Sequence, residues 1–86
     1  MTLRFHMDDA AFVSWLESRE DGGYVATVSG SRVLLHQASC RHFKPRDRWA
    51  KTDSPKYCDD SAKTLLLHPD FRSREVRDCK SCHPSG

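Results

Sequence analysis

Eighty-six residues, 37% hydrophobic and 30% charged with a mean hydropathy of −0.71, make one domain spanning 1–86, whose core is thin for its length. A net charge of only +2 and recurring apolar clusters exclude a disordered chain. No stretch approaches the ~18 apolar residues of a membrane helix, so no membrane role is expected. A core this thin makes a staple expected. Residues 1–10 hold Arg4, His6, Asp8 and Asp9 without an apolar run, so no secretory leader is read there. The expected compartment is the cytoplasm with reduced thiols, where four cysteines argue for metal over disulfides.

In chain order the pattern predicts an α+β layout: a β-hairpin or small antiparallel sheet with two or three short helices. Thr2 to Met7 alternates apolar and polar residues, as a short strand or extended arm does. Asp8 or Asp9 can cap a helix from about Asp9 to Arg19 that buries Phe12, Trp15 and Leu16. Asp21-Gly22-Gly23 stops it, on the expectation that glycine adopts the left-handed conformation of a helix end. Tyr24 to Val28 reads as a strand, Ser29-Gly30-Ser31 as a turn and Arg32 to His36 as the hairpin partner. From Cys40 to Tyr57 the chain is polar, carries Pro45 and Pro55 and shows no period, which predicts a long loop. Asp59-Asp60-Ser61 can start a second helix through Ala62, Leu65 and Leu66 that ends before Pro69. Arg74 to Arg77 is then a short strand that delivers Cys79 and Cys82 on a tight turn.

The chemistry concentrates in two pairs, His36-x-x-x-Cys40 and Cys79-x-x-Cys82. Three thiolates and one imidazole are the ligand set of a closed tetrahedral zinc site. In C-x-x-C both thiolates can face one ion while turn amides offset their charge. Residues 41–78 separate the pairs, so a metal here pins the middle of the chain to its end. A redox pair shares the C-x-x-C spacing, but it wants a βαβ context and a helix behind the motif, neither of which is expected here. Cys58 offers an alternative fourth ligand: Cys40, Cys58, Cys79 and Cys82 would make a four-thiolate site, with His36 outside it. With His36 as ligand, Cys58 becomes a buried, apolar-like thiol.

Leu35-His36-Gln37-Ala38-Ser39-Cys40 followed by Cys79-Lys80-Ser81-Cys82-His83-Pro84 resembles the Ada-like zinc-binding domains. Their H-x-x-x-C…C-x-x-C-x-P pattern is met by His36, Cys40, Cys79, Cys82 and Pro84. Residues 21–84 are also similar to small bacterial proteins that share a Gly-Tyr/Phe-Val strand, an L-H-x-x-x-C element and a terminal C-x-x-C. The resemblance implies one structural zinc and favours His36 over Cys58 as ligand. In the Ada protein the first ligand is a cysteine that accepts a methyl group from DNA. His36 has no thiolate to serve that way, so methyl transfer is not expected.

Charge is unevenly placed. Residues 1–39 carry three Lys/Arg and five Asp/Glu, a balance of −2, and residues 40–86 carry eleven and seven, a balance of +4. Arg41, Lys44, Arg46, Arg48 and Lys51 lie interleaved with Phe43 and Trp49. Cations for phosphates and rings for bases suit a nucleic-acid surface, with Trp49 or Phe43 stacking. The competing reading is a solvated loop whose aromatics fold back onto the core. His6, His42, His68 and His83 carry no ligand expectation. A closed site leaves no position for a reacting water, which argues against an enzyme. The expected role is a nucleic-acid-binding, zinc-stabilised module, with a protein-interaction adaptor and a thiol redox sensor as alternatives.

Overall fold

The computed structural model describes residues 2–19, 22–40, 43 and 51–80. Strand β1 (Leu3–Phe5) leads into helix α1 (Asp9–Ser18), followed by β2 (Tyr24–Ser29), β3 (Arg32–Gln37), β4 (Lys56–Asp59), helix α2 (Ala62–Leu66), a 3-10 turn (Pro69–Phe71) and β5 (Glu75–Asp78). The result is a small α+β domain on a five-stranded mixed sheet with the order β1-β4-β2-β3-β5. β2 and β3 form the antiparallel hairpin, and Gly30 at its tip has φ +60. A positive φ at the first of two turn residues alone matches a type II′ turn, whose twist suits the flanking strands.

Helix α1 starts where the sequence predicts. Asp8 caps it, accepting from the Ala11 amide at 3.2 Å, a bond of about 1 kcal/mol. Phe12, Trp15 and Leu16 are its buried residues, and burying Phe12 or Leu16 contributes roughly 2 kcal/mol each. The helix ends for a different reason than conformational freedom at Gly22 or Gly23. Among the described residues only Met7 and Gly30 have positive φ. A Cβ on Gly23 would instead meet Trp15 and Arg19 side-chain atoms at 2.8 Å, so Gly23 lets β2 start tightly against the helix.

Two further expectations are corrected. The long polar loop does not reach Tyr57, because Lys56–Asp59 is strand β4, inserted between β1 and β2 and antiparallel to both. Four residues with charges at both ends are too short to show a period, and long-range pairing holds them in place. Cys58 is therefore a strand residue. Around the expected antiparallel hairpin the sheet is mixed, since β5 runs parallel to β3. Ser61, rather than Asp59 or Asp60, caps α2, accepting from the Thr64 amide. The Asp59 carboxylate accepts from the Ser61 amide and the Thr2 hydroxyl.

Strand alternation divides the core into two. One face gathers Phe12, Trp15, Leu16, Val25, Ala38, Cys40, Phe43, Cys58 and Cys79. The other gathers Ala26, Val33, Leu35, Tyr57, Leu65 and Phe71 beneath α2 and the 3-10 turn. Among the described residues, no helix is long and apolar enough to cross a membrane.

Candidate metal centre

Register brings the ligand types together. β3 and β5 pair in parallel with Leu35 opposite Asp78, and the Cys79 amide donates to the Leu35 carbonyl at 2.8 Å. The residue after each of these, His36 in β3 and Cys79 just beyond β5, thus faces the α1 side. Beyond β3 the Ala38 amide donates to the Gly23 carbonyl at 2.8 Å, and the Cys40 amide to the Gln37 carbonyl at 3.0 Å. That turn swings Cys40 back under the sheet. The ligand atoms of His36, Cys40 and Cys79 all lie within 4.8 Å of one another, a group that could hold a metal ion.

The spacing and the surroundings fit that use. Cys40 Sγ and Cys79 Sγ are 3.8 Å apart, far beyond the ~2.05 Å of a disulfide. Two sulfurs on one tetrahedral ion, each at ~2.3 Å, sit ~3.8 Å apart. His36, Cys40 and Cys79 are 4%, 2% and 1% exposed, so water is kept from the group, as a structural site requires. Without an ion, either thiol donates weakly to the other.

Cys58 is buried on the same face but is not one of the three converging residues. Val25 pairs with His36 on one side and Cys58 on the other. Two strand spacings put His36 and Cys58 about 10 Å apart along this row. Burial pushes the Cys58 thiol far up, only partly offset by the nearby Lys56.

Of the remaining expected site residues, Cys82, Arg41, Lys44, Arg46, Arg48 and Trp49 lie outside the described residues, as do Pro45, His42, His83 and Pro84. Lys51 is exposed, with its Nζ 3.6 Å from Asp9 Oδ2. Phe43 is not available to stack on a base: it is 3% exposed, edge-on to His36 at 5.0 Å and to Phe12 at 5.7 Å between ring centroids. Its neighbours in sequence are charged or polar, and only its spacing of three from Cys40 marks it out. His68 sits between the second helix and the 3-10 turn, and its Nδ1 accepts from the Asp70 amide at 3.2 Å.

The described residues thus assemble three ligand-type side chains in a dry, aromatic-lined corner where two strand ends meet. Comparison of the chain with protein-family models, with curated proteins and with solved structures finds no match.

Proposed function

We propose that the protein is an Ada-like zinc domain without methyl-transfer activity: a cytoplasmic binding module, not an enzyme, whose single structural zinc holds it together. The observation that carries the reading is the 3.8 Å sulfur separation at buried Cys40 and Cys79 beside the His36 imidazole. Cys82, three residues after Cys79, supplies the fourth ligand in the C-x-x-C spacing that metal sites use. The placement of Cys58 two strands from His36 supports His36 as the imidazole ligand of an H-C-C-C site. Zinc fits better than iron because a closed, redox-silent staple needs no electron transfer.

Nucleic acid is the proposed partner, through Arg41, Lys44, Arg46, Arg48 and Lys51, with Trp49 for stacking. The support is compositional: five cations within residues 41–51, in a chain whose other half is acidic. Anisotropy of labelled single- and double-stranded oligonucleotides across a salt series tests this partner. If all five cations neutralise phosphates, affinity falls about 500-fold for a fourfold rise in salt. Binding that is absent or insensitive to salt would sink the nucleic-acid partner and leave the protein-interaction adaptor.

A further inference from the structure

We infer that Phe43 is a positioning residue for the metal site, holding the His36 imidazole in its ligating orientation and sealing the site against exchange. The inference rests on the reading of His36, Cys40 and Cys79 as metal ligands. Phe43 is tied to two of them by different bonds. Its amide donates to the Cys40 carbonyl at 3.1 Å, so its place follows that of one ligand. Its ring meets the His36 ring at 5.0 Å and 65°, so it limits the rotation of another. Edge-to-face packing of this kind has a preferred geometry, and an imidazole turned about its Cβ–Cγ bond would lose it.

Phe43 is itself held from behind. Phe12 of α1 meets it at 5.7 Å and 88°, and Phe5 of β1 meets Phe12 at 5.9 Å. Four rings thus run from the first strand through the helix to the ligand. With Phe43 at 3% and His36 at 4% exposure, the ring also keeps water and competing chelators from the imidazole. An apolar shell around a metal controls solvent access, and losing a group that orients a ligand costs about 10–100-fold in metal affinity.

Replacing Phe43 with leucine keeps apolar bulk and removes the ring, which makes Phe43→Leu the informative variant. Leu16→Ala serves as the control, because Leu16 is fully buried in the same cluster and its loss loosens the core. Zinc affinity is measured by competition with a chromophoric pyridylazo chelator, and the site is read by the visible spectrum of the cobalt(II)-substituted protein. Phe43→Leu weakens zinc binding about 10-fold and shifts the cobalt d–d bands while the thiolate-to-cobalt bands remain. Leu16→Ala lowers the melting temperature but leaves the cobalt spectrum unchanged. Wild-type affinity and spectrum in Phe43→Leu would overturn the positioning role, as would an equal change of both in Leu16→Ala. A wild-type protein that takes up neither zinc nor cobalt would overturn the metal site itself, and this role with it.

Discussion

The two faces of the sheet close by different chemistry. Beneath α2 the core is sealed by its own side chains. Tyr57 donates to Asp70 Oδ2 at 2.7 Å, accepts from Arg4, and packs edge-on to Phe71 and His68 at 5.0 and 4.9 Å. Arg74 ties the turn region together through the carbonyls of Asp70 and Gly30. Beneath α1 the strand ends contribute two thiols and an imidazole instead. Sulfur and imidazole pack there as apolar groups do, but they also bring ligand-type atoms within 4.8 Å of one another. One face is closed by its own hydrogen bonds and rings, and the other carries a group that could hold a metal ion, which on the proposed reading completes it. The difference teaches where, on the proposed reading, a thin core places its staple: at the corner where β5, an edge strand, meets β3.

Removing that staple is the largest way to separate the faces. A structural zinc contributes an apparent binding free energy of about 10–16 kcal/mol, against the roughly 4–13 kcal/mol of total stability usual for 86 residues. Chelation, or Cys79→Ser, therefore loosens β5 and the α1 face, seen as lost near-ultraviolet circular dichroism and faster amide exchange at Cys79. Unchanged exchange there in the metal-free protein would show that the two faces do not differ.

Leu65→Ala attacks the other face. Leu65 is fully buried, and the cavity costs about 2–5 kcal/mol. The melting temperature falls while zinc stoichiometry and cobalt spectrum stay as in the wild type. Loss of metal in this variant would mean that the faces are coupled rather than separate.

A smaller effect lies at the clamp that joins the α1 N-terminus to residues 51–53. Thr52 is buried, and its hydroxyl accepts from the Asp8 amide and donates to Asp9 Oδ1, both at 2.7 Å, while its carbonyl accepts from the Met7 amide. Thr52→Val keeps the shape, removes the hydroxyl and lowers stability by about 1–2 kcal/mol in chemical denaturation. The Thr52 hydroxyl and amide hold the Asp9 carboxyl below its ordinary 3.8. A lowered folded value means the contribution is complete above pH 3.8 and fades as pH falls through the folded value. Thr52→Val should therefore flatten the acid limb of the stability curve. An unaltered limb would assign the acid sensitivity elsewhere.

Local patterns were readable from the chain, and long-range pairings were not. Phe12, Trp15 and Leu16 declare α1 by helical spacing, Ser29 to Ser31 declare the hairpin turn, and Arg74 to Arg77 anticipate β5 within one residue. Strand β4 escapes because Lys56 and Asp59 flank only two apolar residues, and its partners lie in β1 and β2, far away in sequence. The same long-range pairing separates Cys58 from His36, which spacing alone could not do. The approach of His36, Cys40 and Cys79 follows the ligand spacing, whereas the parallel register that creates it does not. The reading in which the loop's aromatics fold back onto the core holds for Phe43, but that it packs against Phe12 and His36 follows only from the three-dimensional approach of α1.

The central claim is that His36, with Cys40 and Cys79, holds the ion. Native mass spectrometry of protein purified without added metal, compared with His36→Ala and Cys58→Ser, tests it most directly. The account predicts one zinc per chain in the wild type, kept by Cys58→Ser and lost by His36→Ala. Zinc kept by His36→Ala and lost by Cys58→Ser would contradict it and make the site a four-thiolate one.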